Sequence, residues 1–179
     1  LPTLNYIIEK GGIPIIGGHI SGPLGKYVEK LSTKHLQSYF EEKLSYFEEK
    51  LGQNKFELLE NLRFDPREIQ NNKIFAEELS KKAEIYVNEA FATCHREHTS
   101  IVGIPRFLPS FAGIRLQKEI ETLDKLGNPE RPFIVIIGGA KLESKMPVIE
   151  KFLSTADFVI LSGLLSYNWS TEVPQNLIL

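Results

Sequence analysis

A buried strand that runs into a glycine turn is the feature that most constrains how this chain folds. Residues 133–137 are five consecutive apolar residues, and this pattern predicts a strand buried on both faces. Gly138 and Gly139 then allow a tight turn, and a helix is predicted over 146–152, with Pro147 acceptable in its first turn. A strand, a turn and a helix in this order form the repeating unit of parallel α/β proteins.

The same turn carries the chemistry of a phosphate-binding loop. Its glycines remove side-chain bulk, the start of the helix offers free N–H groups, and Lys141 and Lys145 add positive charge. The pattern is not the P-loop, and it is not the Gly-x-Gly-x-x-Gly fingerprint of dinucleotide sites. An ordinary strand-to-helix turn with two solvated lysines is therefore the alternative interpretation.

Predicted strands and helices alternate along the whole chain. The predicted helices cover 3–10, 32–51, 71–83, 112–126 and 146–152, and the predicted strands cover 13–16, 56–59, 84–88, 133–137 and 158–161. This alternation predicts parallel sheets with right-handed crossovers, and hence a three-layer α/β/α architecture. A heptad at 38–44 is repeated letter for letter at 45–51, which we interpret as one amphipathic surface helix, because two copies are too few for a coiled coil or a solenoid.

Cationic side chains follow the predicted strands. They come directly or a few residues after a strand end, at His19, Arg63, His95, Arg96 and Lys141. Because ligands of parallel sheets collect at the carboxyl ends of the strands, we expect these residues to share one rim. Guanidinium groups bind phosphate and carboxylate bidentately, so such a rim suits a small phosphorylated or carboxylated anion. For each residue alone, a salt bridge to a nearby carboxylate is the simpler interpretation.

Composition argues against several other classes of function. The formal net charge of -2 gives no strong electrostatic basis for binding nucleic acid. No apolar run approaches the roughly 20 residues that cross a bilayer, and the first residues lead directly into a helical pattern instead of a signal peptide. Cys94 is the single cysteine, so no internal disulfide is expected, which fits a reducing compartment. Both ends of the sequence are abrupt, and we expect a fragment or an incompletely represented longer chain.

Several segments together resemble the phosphoglycerate kinase family. They are residues 59–64 (Leu-Glu-Asn-Leu-Arg-Phe), 86–91 with 95–98, 128–133, and 138–141 (Gly-Gly-Ala-Lys). The resemblance covers most of the chain in the family's order and is weakest at 26–55 and after 164. It implies an enzyme with two lobes around a cleft, one for 3-phosphoglycerate and one for the nucleotide, Mg-ATP or Mg-ADP. The implied reaction is glycolytic phosphoryl transfer between 1,3-bisphosphoglycerate and ADP, in a cytoplasmic monomer without nucleic-acid or membrane partners.

The resemblance also assigns roles to residues of the first lobe. His19 matches the histidine that contacts 3-phosphoglycerate, and Arg63 and Arg96 match two of the family's substrate arginines. His95 lies in the same segment and is implied to belong to the same patch. The implied first lobe spans residues 1–112 without the family's first strand, and residues 113–127 correspond to the helix between the lobes.

Residues 131–179 correspond to the incomplete opening of the nucleotide lobe. Lys145 matches the lysine that meets the nucleotide phosphates, and Lys141 is its companion one helical turn earlier. These lysines are the implied catalytic residues, and Gly138 and Gly139 join them in binding the nucleotide. No resident metal ion is expected.

Departures from the family pattern leave two alternatives open. Gly22 stands where the family has a substrate arginine, and Ser144 stands where it has an aspartate. The first alternative is therefore a catalytically inactive scaffold or assembly subunit. The second is a metal site in the segment after the third strand, with Cys94, His95 and His98 as ligands, although their spacing fits no common zinc pattern.

Overall fold

The computed structural model describes residues 1–47 and 56–179. These residues divide into two compact units, Leu1–Thr122 and Leu123–Leu179. In the ranges that the structure describes, no helix combines the length and apolar character needed to cross a bilayer.

The first unit contains short helices and short strands in alternation. Its helices are α1 (Pro2–Glu9), α2 (Gln37–Leu44), α3 (Lys73–Ser80) and α4 (Ile114–Asp124), the last of which ends just inside the second unit, and its strands are β1 (Ile15–Ile16), β2 (Glu57–Leu58), β3 (Tyr86–Asn88) and β4 (Ser110–Ala112). The predicted elements are present, with strands shorter than the apolar pattern suggested. A single π-helical turn at Thr99–Gly103 was not predicted, and it positions residues of the candidate site.

The strands of the first unit pair in parallel, as the alternation predicted. β1 pairs with β2, with Ile15 opposite Glu57, and β3 pairs with β4, with Val87 opposite Phe111. The strand β4 corrects the prediction of helix from about residue 112, since the helix begins only at Ile114. The backbone carbonyl of Pro109 accepts a hydrogen bond from the Tyr86 N–H, so the segment before the helix is used to extend a sheet.

The helix predicted over 32–51 is divided into shorter pieces. A 3-10 turn at Thr33–Leu36 precedes α2, and a second one at Ser45–Phe47 follows it. The hydroxyl of Ser32 accepts a hydrogen bond from the Lys34 N–H at 3.2 Å and caps the first piece. Leu44 is fully buried against Ile8 of α1. Most of the second heptad copy lies outside the described residues.

The second unit is a three-stranded parallel sheet with its own core. Strands β5 (Ile134–Gly138), β6 (Phe158–Ser162) and β7 (Leu177–Ile178) lie in the order β5-β6-β7, with helices α5 (Met146–Leu153) and α6 (Leu164–Tyr167). The core side chains come from all of these elements and include Ile137, Ile149, Val159, Leu161, Leu165 and Leu177. The elements α6 and β7 were not predicted, because neither segment is long enough to show a hydrophobic period.

The sheet of the second unit is buried on one face only. Ile137 lies in the core, whereas Ile134 and Ile136 are 50% and 70% exposed. The register places Phe158 opposite Ile134, so both side chains belong to the exposed face. Among the described residues, helical side chains pack only on the opposite face, which contains Ile137. The prediction of a strand buried on both faces is therefore wrong for the described part of the chain.

Candidate functional site

A buried carboxylate organises the candidate site of the first unit. His19 lies three residues beyond β1, and Glu68 lies in the turn that follows the 3-10 helix Leu62–Phe64. The Nε2 atom of His19 is 2.7 Å from Oε1 of Glu68, and the two side chains are 8% and 0% exposed. Burying a carboxylate costs free energy unless hydrogen-bond donors satisfy its oxygens. The contact with His19 therefore stabilises the fold and also fixes the position of the histidine ring.

The π-helical turn supplies the remaining donors to this carboxylate. The Ser100 hydroxyl donates to Oε1 of Glu68 at 2.6 Å, and the Ser100 backbone N–H donates to Oε2 at 3.1 Å. The Thr99 N–H donates to the Glu68 carbonyl at 2.8 Å, which fixes the backbone of the two segments together. The carboxylate therefore joins a loop after β1, a turn after β2 and the segment after β3.

His98 completes the cluster from the same segment. Its ring packs edge-to-face on His19, with 5.4 Å between the ring centroids. Its Nδ1 atom lies 3.9 Å from Oε1 of Glu68 and has no hydrogen-bond partner among the described residues. Burial lowers the pKa of His98 below its usual value, and the positive charges of Arg63 and Arg96 lower it further, against the opposing effect of Glu68.

The electrostatics of Glu68 favour its ionised form. Burial alone raises the pKa of a carboxyl group, but the hydrogen bonds from His19 and Ser100 outweigh burial and hold the pKa of Glu68 below its usual value. At neutral pH the cluster therefore contains one buried negative charge whose hydrogen-bonding capacity is largely used.

Two arginines, Arg63 and Arg96, lie close enough to His98 for their charges to affect it. The Nη1 atom of Arg63 donates to the Ser21 carbonyl at 2.7 Å. Burial lowers the pKa of Arg63, and the positive charge of Arg96 adds to this effect, so the two guanidinium groups are close enough to repel. Across residues 1–47 and 56–179, neither arginine forms an ion pair with a carboxylate. The simpler interpretation, a salt-bridge partner for each arginine, is therefore not what the structure contains.

The sequence-predicted residues are brought together only in part. Electrostatic effects link His98 to His19, Arg63 and Arg96, and they also link the two arginines to each other. His95 is exposed, and no described contact joins it to these residues. Glu68 and Ser100 were missed, because no motif marks them and their role depends on burial. The only signal in the sequence was that both lie within or close to segments that resemble the family.

The cluster of histidines and carboxylate is also the one that approaches metal-ligand spacing. In the described ranges, ligand atoms of His19, Glu68 and His98 lie within 4.8 Å of one another, and this group includes neither Cys94 nor His95. However, the His19–Glu68 separation of 2.7 Å is that of a hydrogen bond, and Arg63 and Arg96 add positive charge nearby. These contacts favour an anion over a cation at this site.

The glycine turn and the two lysines form a separate candidate site in the second unit. Gly139 has a φ of +155°, and a side chain there would meet Cε of Lys145 at 3.6 Å. Lys145 therefore lies across the turn as the residue that precedes α5, and Lys141 is exposed. The predicted sequence of strand, glycine turn, lysines and helix is present in this unit.

The free N–H groups expected at the start of α5 are not available. The Met146 N–H donates to the Leu142 carbonyl at 3.0 Å, and Pro147 has no N–H group. The Val148 and Ile149 N–H groups both donate to the Lys145 carbonyl, at 3.0 and 2.9 Å. The prediction that this helix end offers free backbone donors is therefore wrong for its first turn, and the lysine side chains carry the positive charge.

The fold and these sites define a class of protein. A parallel α/β chain suits phosphorylated or carboxylated small molecules when it holds a buried histidine–carboxylate pair, two nearby arginines that form no ion pair within residues 1–47 and 56–179, and lysines after a glycine turn. The model of the family described as phosphoglycerate kinase matches residues 1–173. The chain belongs to this family.

Individual relatives support the same assignment. The chain is 40% identical to the phosphoglycerate kinase of Herpetosiphon aurantiacus over 91% of this chain and 45% of the relative. It is 39% identical to the phosphoglycerate kinase of Leptospira biflexa over 97% of this chain and 48% of the relative. The chain thus spans about half the length of the curated relatives that it matches.

Solved structures show the same likeness. The phosphoglycerate kinase from Pyrococcus horikoshii superposes with a TM-score of 0.79 at 34% identity, over 93% of this chain and 47% of that one. The enzyme from Coxiella burnetii superposes with a TM-score of 0.78 at 27% identity, over 98% of this chain and 49% of that one. The predicted family and the predicted three-layer α/β/α class are confirmed. The alternative of an inactive scaffold has no support from these relatives, which are all named as kinases.

Proposed function

We propose that the protein formed by this chain is a phosphoglycerate kinase, which transfers a phosphoryl group between 1,3-bisphosphoglycerate and ADP to give 3-phosphoglycerate and ATP. The observation that carries the proposal is that Arg63 and Arg96, both close enough to affect His98, have no carboxylate partner among the described residues in a chain of this family. Two unpaired guanidinium groups at a strand-end site bind an anion without first breaking a salt bridge.

The first unit is proposed to bind 3-phosphoglycerate. Arg63 and Arg96 would neutralise its negative charge, and His19 would contact it from the end of β1. His95 is included on the resemblance alone. The proposed organisation keeps residues 1–112 as the substrate-binding lobe and 113–127 as the helix that leads to the nucleotide lobe.

The second unit, from residue 131, is proposed to open the nucleotide lobe. The turn at Gly138 and Gly139 would allow the phosphates to approach the backbone, and Lys141 and Lys145 would contact them. The magnesium ion arrives with the nucleotide, so Mg-ATP or Mg-ADP is treated as a substrate. We propose that the full enzyme is a cytoplasmic monomer without nucleic-acid or membrane partners.

The proposed chemistry needs positioning and positive charge more than covalent catalysis. Phosphoryl transfer spreads negative charge over the oxygens of the moving group, so fixed cations that face those oxygens lower the barrier. Lys141 and Lys145 are the proposed cations on the nucleotide side. Exclusion of water strengthens these interactions and protects the acyl phosphate from hydrolysis.

Calorimetric titration of 3-phosphoglycerate into the chain tests the substrate site. We expect the wild-type chain to bind, and we expect Arg63→Ala and Arg96→Ala each to weaken binding by about tenfold or more, the size of one charge-assisted hydrogen bond. Arg106→Ala is the matched control, because Arg106 is exposed, as Arg96 is, but lines a different cavity beside Asn71 and Lys73. Wild-type binding that is undetectable, or equal losses in all three variants, would contradict the proposed site.

The activity itself is tested with the complete polypeptide that contains this chain. We expect it to form ATP from ADP and 1,3-bisphosphoglycerate, and we expect Lys145→Ala to lower kcat with little change in the affinity for 3-phosphoglycerate. Absence of turnover together with no binding of either ligand would contradict the kinase.

A further inference from the structure

We propose that Glu68 is a positioning residue that fixes the proton of His19 on Nε2 and so leaves Nδ1 as the atom that contacts the bound anion. The inference rests on the proposed function for the role of His19. Nothing in the resemblance assigned a role to Glu68, and its importance follows from contacts between segments that are far apart in the chain.

The hydrogen-bonding capacity of the carboxylate determines the proton position. An ionised carboxylate accepts hydrogen bonds and cannot donate one. Oε1 of Glu68 is 2.7 Å from Nε2 of His19, so this nitrogen must carry the hydrogen. Hydrogen bonds from His19 and Ser100 hold the pKa of Glu68 below its usual value against the effect of burial, which keeps it an acceptor at neutral pH.

The position of Glu68 is itself fixed from the other side. The Ser100 N–H and hydroxyl donate to its two oxygens, at 3.1 and 2.6 Å, and the side chain is completely buried. The carboxylate therefore cannot rotate away from His19 without leaving a buried donor unsatisfied. His19 is held in one orientation by a partner that is itself held by the π-helical turn.

Nδ1 is the ring nitrogen that remains for a ligand. With its hydrogen on Nε2, the ring can donate from Nδ1 to an anion only after that nitrogen takes up a second proton from the solvent. The ring then donates from both nitrogens, to Glu68 and to the anion. The negative charge of Glu68 stands behind the ring, and the positive charges of Arg63 and Arg96 lie nearby. Glu68 thus acts through His19 and does not itself touch the substrate.

The substitution Glu68→Gln is expected to change which ring nitrogen of His19 carries the hydrogen. The glutamine has one acceptor oxygen, and the rigid Ser100 N–H requires it, whereas the Ser100 hydroxyl can rotate and accept. The glutamine NH2 group then faces Nε2 of His19, which must become an acceptor. The neutral ring is therefore expected to move its hydrogen to Nδ1 in this variant.

Nitrogen-15 NMR of the histidine-labelled chain measures this directly at a pH where the rings are neutral. We expect the wild-type His19 signals to report hydrogen on Nε2, the Glu68→Gln signals to report hydrogen on Nδ1, and His19→Asn to identify the resonance. Ser100→Ala is the matched control. It removes the hydroxyl that lies 2.6 Å from Glu68 and 3.4 Å from Nε2 of His19, but it keeps the 2.7 Å contact between His19 and Glu68, so it is expected to keep the wild-type tautomer. A wild-type ring with hydrogen on Nδ1 overturns the proposal, and this outcome needs no variant that folds.

Titration with 3-phosphoglycerate separates this proposal from the proposed function. Glu68→Gln places a hydrogen on Nδ1 and is expected to bind within about threefold of wild type, whereas Glu68→Ala removes the partner that orients the ring and is expected to bind about tenfold more weakly. If wild type binds and Glu68→Ala binds equally well, the positioning role is refuted while the substrate site stands. If wild type does not bind, the proposed function fails, and the tautomer measurement still decides what Glu68 does to His19.

Discussion

At the scale of single residues, the loop that supports Arg63 depends on a glycine. Gly25 has a φ of +77°, and a Cβ atom at this position would meet Cβ of Pro66 at 2.8 Å. The Gly25 N–H also donates to the Arg63 carbonyl at 3.2 Å, so a strained residue 25 would disturb the candidate site. Gly22, in the same loop, has open space around it.

We therefore expect Gly25→Ala to lower the free energy of unfolding by about 1–3 kcal/mol, the cost of a strained backbone conformation. Gly22→Ala is expected to change it by less than about 0.5 kcal/mol, as for an ordinary surface position. Urea denaturation followed by circular dichroism measures both. Equal effects of the two substitutions would show that the conformation of residue 25 is not a constraint.

At the scale of the elements, a second carboxylate ties β2 to the segment before α2. Oxygens of Glu60 accept from the Ser32 hydroxyl, the Thr33 N–H and hydroxyl, and the Asn61 N–H, at 2.8 to 2.9 Å. Burial opposes ionisation, but these hydrogen bonds outweigh it and lower the pKa of Glu60 from its ordinary 4.5 to about 2. A lowered pKa in the folded state means that folding is favoured when Glu60 is ionised.

The contribution of Glu60 is therefore complete above the ordinary pKa of 4.5 and is lost as pH falls toward about 2. We expect Glu60→Gln to be destabilised at pH 7 and to lose less further stability than wild type between pH 5 and pH 2. Chemical denaturation at a series of pH values measures the slope. Glu9→Gln, which changes an exposed carboxylate at the end of α1, should keep the wild-type slope. A wild-type slope for Glu60→Gln would show that the hydrogen bonds do not favour the ionised form.

Two neighbouring residues of helix α5 allow a controlled test of how much the core of the second unit contributes to stability. Ile149 is fully buried, whereas its neighbour Val148 is 45% exposed. Ile149→Ala should lower the free energy of unfolding by about 2–5 kcal/mol, because it removes buried apolar atoms and leaves a cavity. Val148→Ala should stay within about 0.5 kcal/mol. Trp169, the single tryptophan, packs against this core, so its fluorescence follows the unfolding of this unit. Similar losses for both variants would mean that α5 does not carry the core.

At the scale of the whole chain, the uncovered face of the second sheet determines behaviour in solution. Ile134, Ile136, Phe158 and Ile178 lie on this face with 44% to 70% of their surface exposed. Contiguous exposed apolar surface of this kind binds apolar dyes and favours association. We expect the isolated chain to bind anilinonaphthalene sulfonate and to associate with increasing concentration.

The substitution Ile136→Lys is expected to reduce both effects, because it places a charge at the most exposed apolar position of this face. Dye fluorescence and sedimentation velocity measure them. Lys118→Ala, a change on the exposed surface of α4, serves as the control and should leave association unchanged. A chain that stays monomeric and binds no dye in its wild-type form would contradict this prediction.

Sequence reasoning identified the parallel α/β class and the first positions of the site because both follow from local patterns. His19 and Arg63 lie three and five residues after β1 and β2, and the topology alone then places them near the strand ends. Glu68 could not be identified in this way, because its partners His19 and Ser100 are 49 and 32 residues away. The exposure of Ile136 was missed for a related reason. A run of apolar residues indicates that a strand is hydrophobic, but it does not indicate which other elements cover each face of that strand.

Cys94 allows the protein to be labelled at a single position. It is the only thiol in the sequence, it is exposed, and it lies two residues before Arg96. A thiol-reactive fluorophore would therefore attach at one defined position without any substitution, and we expect its emission to change when a ligand binds the nearby Arg96.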